Sequence, residues 1–262
     1  MKKIISILLA AVMAFAMLAG CGTKGVNTDV DSDFQYIVDK GTMIVGITDY
    51  APMDYKDENG EWTGFDAEFA REVAKLMGVE IEFIEIDWDN KFPELESKSI
   101  DCIWNGMTIT DEVKLNTECS KAYVKNEQVV VMNADKVENY KDIESLKSLK
   151  FAAESGSAGE AAALDNGFTV TAVLAQTDAL LEVASGSADA CIIDGTMAAA
   201  MTGEGTSYAN LKAGIALTSE EYGIGFRKGS DMAQKVNEYM AQLTENGVLP
   251  ALAEKYELML AD

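Results

Sequence analysis

The strongest structural signal in the chain is residues 64–110, GFDAEFAREVAKLMGVEIEFIEIDWDNKFPELESKSIDCIWNGMTIT. Apolar residues recur there first every three or four positions and then at every second position, as in Phe65, Phe69, Val73 and Leu76, followed by Val79, Ile81 and Phe83. The first spacing predicts an amphipathic helix and the second a half-buried strand. A helical pattern around Phe92 to Leu95 then leads to an apolar run at Cys102 to Trp104, which predicts the next strand.

The alternation of strands and helices continues on both sides of this stretch. Met43 to Ile47, a short apolar run after Gly41, completes a β-α-β start. Gln128 to Met132 is a β-branched run, and a second round of elements follows at Leu149 to Ala153, Ser157, Phe168 to Val173, Asp178 to Val183 and Ala190 to Ile193. This order favours an α/β fold in which parallel or mixed sheets are flanked by helices.

Two segments indicate repetition at the level of whole lobes. Residues 97–106 (SKSIDCIWNG) and residues 185–195 (SGSADACIIDG) both run from a polar turn through Asp into an apolar strand that ends on a polar residue and Gly. The two are one residue out of register. Each nevertheless places a polar side chain at the carboxyl end of a strand, where open α/β sheets bind ligands.

Composition excludes several classes of function. With 44 acidic and 21 basic residues, the 262-residue chain has a formal charge of −23, which becomes −25 once Lys2 and Lys3 leave with the leader predicted below. This charge disfavours binding to nucleic acid or to anionic lipid, which require basic patches. The chain has no histidine, so Ser-His and Cys-His catalysis cannot be built and the commonest metal ligand is missing. We expect no catalytic residue, no metal and no cofactor.

The first 33 residues predict export and lipid anchoring. Lys2 and Lys3 precede an apolar run from Ile4 to Ala19 that is short for a membrane span and has the form of a secretory signal, the alternative being an uncleaved anchor. Residues 18–21 (LAGC) resemble a bacterial lipobox. Residues 1–20 should therefore be removed and Cys21 acylated, with palmitate as a fatty acid, at the extracellular face of the cytoplasmic membrane. Residues 21–33 are predicted to form a flexible stalk.

Three cysteines remain after Cys21 is acylated, namely Cys102, Cys119 and Cys191. An odd number does not make a disulfide framework, and their spacing matches no zinc site. Each lies in an apolar context, which predicts small buried side chains.

The chain resembles the bacterial extracellular solute-binding proteins of family 3, which bind polar amino acids for ABC uptake transporters. The resemblance covers about residues 40–257 and is carried by the motifs at 64–69, 88–89, 101–110, 221–229 (EYGIGFRKG) and 246–256. It implies a two-lobed fold of the periplasmic-binding-protein type (type II) with a ligand cleft between lobe 1 (34–125 and 220–262) and lobe 2 (126–219). The implied partners are a small polar solute and the ABC permease and ATPase subunits. We expect a monomer that contacts the membrane through its lipid alone.

The resemblance assigns ligand contacts in lobe 1. Tyr50 is expected to stack its ring on the ligand, although a loop tyrosine packed on its own lobe is the alternative. Asn105, Gly106 and Thr108 match the segment whose backbone and short side chains bind amino and carboxylate groups. A plain strand-to-helix turn is the competing interpretation of that segment.

In lobe 2, Ser157 and Ala158 match a turn whose free amide groups face the ligand carboxylate. Ser157 and Glu160 also have the spacing of a capping box, which needs no ligand to explain it. Asp194 matches the family acid that pairs with the α-ammonium group, a charge-assisted hydrogen bond.

One position departs from the family pattern. The family usually has an arginine where this chain has Val113, and that arginine grips the α-carboxylate with two parallel hydrogen bonds. Lys91 could replace the missing charge if it reaches over the cleft, the alternative being a solvated helix start. Glu154 also matches a cleft position and adds negative charge near Asp194. These differences favour a ligand with more positive than negative character, or one without a free α-carboxylate.

A binding lipoprotein that captures an amino acid or a related small amine is the function that these observations favour, rather than an enzyme. An enzyme on the same fold, similar to the cyclohexadienyl dehydratases, would need a general acid in the cleft, for which Glu154 is the candidate. A module that reports solute to a receptor is the third possibility, and fold alone does not separate the three.

Overall fold

The computed structural model describes residues 32–262. The predicted signal peptide (1–20), the predicted lipidation site at Cys21 and the predicted stalk as far as Asp31 lie outside the described residues. Asp33, the last residue of the predicted stalk, begins helix α1 (Asp33–Lys40), and its carboxylate pairs with Arg227 at 3.0 Å. Within residues 32–262, no helix has the length and hydropathy needed to cross a membrane.

The first sheet has six strands: β1 (Thr42–Ile47), β4 (Glu80–Glu85), β5 (Cys102–Thr108), β6 (Thr117–Cys119), β7 (Val124–Asn126) and β13 (Glu220–Arg227). Their order is β4-β1-β5-β13-β6, and β7 also pairs with β13. Strand β1 runs parallel to β4 and β5, whereas β13 runs antiparallel to β5, β6 and β7. This sheet is therefore mixed.

The second sheet has five strands: β8 (Gln128–Asn133), β9 (Lys150–Glu154), β10 (Thr169–Val173), β11 (Ala190–Asp194) and β12 (Leu211–Ala216). Their order is β10-β9-β11-β8-β12. Strand β9 is parallel to β10 and β11, and β8 is antiparallel to β11 and β12. The two sheets thus share one plan, three parallel strands followed by an antiparallel strand. A small ribbon, β2 (Tyr55–Lys56) with β3 (Trp62–Thr63), lies apart from both.

The remaining helices are α2 (Phe65–Met77), α3 (Lys91–Glu96), α4 (Asp111–Asn116), α5 (Ile143–Leu146), α6 (Ala158–Asp165), α7 (Gln176–Ser185), α8 (Gly195–Met201), α9 (Met232–Glu245) and α10 (Val248–Lys255). Helix α2 buries Phe65, Phe69 and Val73 completely, and each such side chain contributes about 1.5–3 kcal/mol. Its last turn differs from the prediction, because Leu76 is 40% exposed and Met77 completes the buried face. Helices therefore flank mixed sheets, which confirms the predicted α/β fold class.

The chain crosses between the sheets twice. It leaves the first sheet between Asn126 and Gln128, and it returns between Ala216 and Glu220. These passages lie close to the predicted boundaries of the lobes, and the lobes themselves stay a proposal.

Strand β5 is longer than its apolar run predicts. It continues from Trp104 to Thr108 because β13 pairs along its second half, with Tyr222 opposite Thr108. Asn105, Gly106 and Thr108 therefore lie within a strand and not in a turn. A pairing of this kind comes from a strand more than a hundred residues later, which no local pattern reveals.

The two similar segments form equivalent turns before β5 and β11. Asp101 donates its N–H to the carbonyl of Ile44, and its carboxylate accepts the N–H of the same residue. Asp189 makes the same exchange with Lys150. The serine hydroxyls of the turns also donate equivalently at 3.1 Å, Ser97 to the Glu94 carbonyl and Ser185 to the Glu182 carbonyl.

Candidate functional site

A cavity of about 320 Å³ lies where the carboxyl ends of strands from both sheets meet. Eight of the nine predicted ligand-binding residues line it: Lys91, Asn105, Gly106 and Thr108 from the first sheet and its helices, and Glu154, Ser157, Ala158 and Asp194 from the second. The ninth, Tyr50, does not line the cavity. Their roles toward a ligand stay predictions, but the fold places these eight residues around one space.

Asp194 ends β11 and is almost completely buried. Four side chains donate to its carboxylate: Asn126 at 2.5 Å, Gln128 at 2.9 Å, Tyr222 at 2.7 Å and Gln176 at 2.6 Å. Burial and then the charge of Glu220 raise the pKa of Asp194 to about 7, against the effect of these hydrogen bonds. A cation that enters the cavity would favour the ionised carboxylate and pair with it.

Glu154 ends β9 and exposes 3% of its surface. Its Oε1 atom has no hydrogen-bond partner among residues 32–262. Burial and then the charge of Asp194 raise the pKa of Glu154 to about 8, while Lys91 opposes the rise. The buried acid therefore has one oxygen that no other described group satisfies.

Lys91 begins α3 and is 4% exposed, so it is not a solvated helix start. Its Nζ donates to the carbonyls of Trp88 at 3.1 Å and Gly156 at 2.9 Å. It also lies 4.9 Å and 4.8 Å from the ring centres of Trp88 and Phe92. Burial lowers the pKa of Lys91. Because Gly156 follows β9, this lysine bridges the two sides of the cavity.

The polar groups at the end of β5 already have partners in the protein. Asn105 Nδ2 donates to Thr48 O and Asp54 Oδ2, Gly106 N to Asp66 Oδ2, and Thr108 Oγ1 to Glu220 Oε1, at 2.6–3.1 Å. Burial raises the pKa of both Asp54 and Asp66. The segment that the sequence assigns to ligand binding is thus held from behind by two buried acids.

Tyr50 lies behind Gly106 and not in the cavity. A Cβ atom on Gly106, which has φ 54°, would lie 2.5 Å from Cε1 of Tyr50, so glycine is required there. The hydroxyl of Tyr50 is hydrogen-bonded to Tyr222 and, at 2.5 Å, to Thr196 Oγ1. Stacking of this ring on a ligand stays a prediction, and it would need the ring to leave these contacts.

Ser157 is the N-cap of α6, and its Oγ accepts the N–H of Glu160 at 3.1 Å. The return contact differs from a capping box, because Glu160 accepts the N–H of Gly156 at 2.8 Å and not that of Ser157. The Ser157 N–H instead donates to the carbonyl of Glu154. The N-terminus of α6 therefore faces the cavity with part of its polar capacity already used.

Val113 is 4% exposed and packs in an apolar cluster with Trp88 and Leu95, at one wall of the cavity. The two arginines of the chain are elsewhere. Arg71 donates to the carbonyl of Trp62. Arg227 pairs with Asp33 and with Asp101, the residue that precedes β5. No guanidinium group among the described lining residues can take the role that the family gives to its arginine.

Four polar residues that donate to Asp194 were not predicted as part of the site: Asn126, Gln128, Gln176 and Tyr222. Nor was Glu220, which accepts from Asn126 and Gln128. Gln128 could have been found, since it opens an apolar run that forms a buried strand. Gln176 and Tyr222 carry no local signal, because only the tertiary fold brings them to β11.

The three cysteines of the described region form no disulfide with one another, and Cys102 and Cys191 are buried while Cys119 is half-buried. Residues 32–262 contain no group of three or more acidic or cysteine side chains placed to hold a metal ion.

The sequence and the structure of this chain were both compared with those of known proteins. The sequence model of one protein family, the bacterial extracellular solute-binding proteins, family 3, matches residues 43–259 of this chain. The chain belongs to this family. The family prediction made from the motifs is thus confirmed.

Two relatives illustrate the range within the family. The L-cystine-binding protein TcyJ of Escherichia coli (strain K12) is 29% identical over 252 residues, which cover 95% of this chain and 94% of that protein. The arginine-binding extracellular protein ArtP of Bacillus subtilis (strain 168) is 32% identical over 268 residues, which cover 98% of both chains.

Solved structures agree with the fold. The P235GK mutant of ArgBP from T. maritima has a TM-score of 0.79 and 33% identity, covering 86% of this chain and 98% of that one. The ancestral amino acid-binding protein AncCDT-1, a precursor of cyclohexadienyl dehydratase, has a TM-score of 0.79 and 32% identity, covering 86% and 99%. AncCDT-1, although it is a precursor of an enzyme, is itself an amino acid-binding protein. This chain is a solute-binding protein and not an enzyme.

Proposed function

We propose that this chain is the substrate-binding lipoprotein of an ABC importer and captures an amino acid or a related small amine in the cavity of about 320 Å³. Residues 34–125 with 220–262, and residues 126–219, act as two lobes that close over the solute. The closed monomer then delivers the solute to the permease and ATPase. Family membership supports the transport role, and the names of the relatives support amino-acid chemistry.

One observation supports an amine as the class of ligand. Asp194 presents a buried carboxylate at the end of β11, and four side-chain donors fix its position in the cavity wall. A fixed carboxylate in a partly desolvated space suits a protonated amine, because such hydrogen bonds are roughly twice as strong as neutral ones. The acid is therefore the expected partner of the ligand's ammonium group.

The first prediction removes this carboxylate. Asp194→Ala should weaken binding of L-arginine, L-cystine or 1,5-diaminopentane, whichever the native protein binds in a thermal-shift screen, by at least about 30-fold. The reason is that losing one partner of a buried charge pair costs about 2–5 kcal/mol. Asp189→Ala, at the opposite end of the same strand and outside the cavity, should keep the native affinity. Calorimetry that gave Asp194→Ala an unchanged affinity would remove Asp194 from the site.

The second prediction concerns the lipid anchor, for which residues 18–21 are the motive. Cys21→Ser should release the protein from the membrane or block its processing, because acylation requires the thiol. Membrane fractionation and metabolic labelling with palmitate measure both effects, and Cys119→Ser controls for loss of a thiol. Equal solubility of the native protein and the Cys21 variant would refute the anchor.

A further inference from the structure

The cavity is much richer in negative than in positive side chains. Its described lining contains one ammonium group, that of Lys91, and five carboxylates, those of Asp111, Glu112, Glu154, Asp165 and Asp194. Glu154 and Asp194 are buried, whereas the other three acids are exposed. Where the two buried acids are ionised they would repel a carboxylate on the ligand, and a partly desolvated cavity screens that repulsion less than water does.

Outside the start of α6, the main donors of the lining that could hold a ligand carboxylate are already engaged. Lys91 donates to two carbonyls, and the side chains of Asn105 and Thr108 donate to carboxylates of the protein. The N–H of Gly106 donates to Asp66. To bind an anion through these groups, the protein would have to break contacts that are now well formed, which is costly for buried groups.

An acceptor, by contrast, remains open. Glu154 lines the cavity, exposes 3% of its surface and has an Oε1 atom without a partner among residues 32–262. A buried carboxyl group in this state is unfavourable until a donor reaches it. It ends β9, which runs parallel to β11, so Glu154 and Asp194 lie at the same edge of one sheet.

Part of the cavity wall is apolar. Trp88 and Val113 both line the cavity and belong to the same buried cluster. An aromatic ring and a branched side chain suit an aliphatic stem, and the face of a ring also suits a cation. Val113 offers no charge to the ligand.

We propose that the ligand of this cavity is a small organic dication without a carboxylate, in which a short aliphatic stem joins two protonated nitrogen groups, one held by Asp194 and the other by Glu154. This inference rests on the proposed function, because it uses the same cavity as the capture site. The proposed function allows an amino acid or a related amine as the ligand. The present inference restricts the ligand to an amine without a carboxylate. The stem packs against Trp88 and Val113.

The proposed ligand class can be tested with pairs of compounds in which one member has a carboxylate and the other lacks it. Calorimetry should give 1,5-diaminopentane at least tenfold higher affinity than L-lysine, and agmatine at least tenfold higher affinity than L-arginine. Pentylamine, which keeps the stem and one amine, should bind at least tenfold more weakly than 1,5-diaminopentane. Tighter binding of the two amino acids than of their decarboxylated forms would overturn the proposal.

A variant then tests the second contact. Glu154→Gln should lower the affinity for 1,5-diaminopentane at least tenfold and change that for pentylamine less than threefold. Glu82→Gln removes the same charge from an exposed strand position outside the cavity, and it should bind 1,5-diaminopentane as the native protein does. An unchanged affinity of Glu154→Gln for 1,5-diaminopentane would overturn the assignment.

The panel separates this inference from the function on which it rests. Binding of L-lysine, L-arginine or L-cystine without binding of the decarboxylated probes would retain the solute-capture function and overturn the dication. Failure of every probe, with L-glutamine included, would overturn both. Binding of the two diamino probes above all others would support both.

Discussion

Glu154 affects the ligand-free protein as well as its ligand. Burial raises the pKa of Glu154 from 4.5 to about 8, so the folded state holds a proton there that the unfolded chain has released. Between these pH values the folded state binds more protons than the unfolded state, and the free energy of unfolding therefore falls as pH rises. The effect of this group is absent below about pH 4.5 and complete above about pH 8.

The third prediction follows from that sign. Ligand-free Glu154→Gln should melt several degrees above the native protein at about pH 8.5, since 1 kcal/mol corresponds to about 2–4 °C in a chain of this size. The two proteins should melt together near pH 4. Differential scanning calorimetry at both pH values, with Glu82→Gln as the control, measures the difference. Parallel curves for all three proteins would show that Glu154 is not a buried neutral acid.

Single residues of the cavity were predictable where a strand pattern ends on a charged side chain. Asp194 and Glu154 follow apolar runs, and the carboxyl ends of parallel strands meet at one edge of a sheet. Tyr50 shows the limit of this reasoning. Its motif predicts a residue close to the segment assigned to ligand binding, Asn105 to Thr108. The close packing of its ring on Gly106, however, depends on backbone geometry that the sequence does not show.

The repeated turns before β5 and β11 share their backbone hydrogen bonds but differ in burial and in ion pairs. Both use an aspartate to tie the turn to the neighbouring parallel strand. In the first copy, Asp101 is buried and also accepts from Lys40 at 2.6 Å and Arg227 at 3.4 Å. In the second copy, Asp189 has a single backbone donor, that of Lys150, at 3.0 Å.

The fourth prediction compares the two copies. Asp101→Ala should lower the free energy of unfolding by about 1.5–3 kcal/mol, because it removes a buried carboxylate that accepts hydrogen bonds from the charged groups of Lys40 and Arg227. Asp189→Ala should lower it by about 1 kcal/mol, the contribution of an ordinary hydrogen bond. Urea unfolding of the two variants provides the comparison. Equal losses would mean that the ion pairs of Asp101 add nothing to the turn.

At the level of elements, the sequence predicted the parallel strands, their helices and the β-branched run that forms β8, but not the short strands β6 and β7 or strand β12. The pattern from Phe65 to Phe83 gave a helix and a strand because local periodicity reports which face is buried. Strand β12 was missed, since Leu211–Ala216 neither alternates nor forms a long apolar run. The extension of β5 was missed because its partner, β13, is remote in sequence.

Across the whole molecule, a few hydrogen bonds join the sides of the cavity. Tyr50 is hydrogen-bonded to Thr196, which lies in α8, the helix that follows β11 of the second sheet. Tyr222, in the first sheet, donates to Asp194 in the second at 2.7 Å. The Lys91 bond to the carbonyl after β9 adds a third connection. These contacts favour the closed arrangement of the two proposed lobes.

The fifth prediction tests one of these connections without altering the cavity wall. Tyr50→Phe should raise the dissociation rate of a bound solute about fivefold and leave the association rate nearly unchanged, because one hydrogen bond contributes about 1 kcal/mol and such changes fall mainly on dissociation. Stopped-flow fluorescence measures both rates, with Tyr55→Phe as the control. A slower association rate with unchanged dissociation would place the hydroxyl in solute entry and not in closure.

Because the chain crosses between the sheets twice, the second sheet can be completed before the first. Every strand of the second sheet lies between Gln128 and Ala216, so this segment alone holds all the strands of that sheet. The first sheet lacks its strand next to β5 until Glu220–Arg227 follows. Glu220 then pairs opposite Asn126, and the intervening residues are enclosed as one long loop of the first sheet. Contacts of such large sequence separation form slowly, so the part made first is completed last.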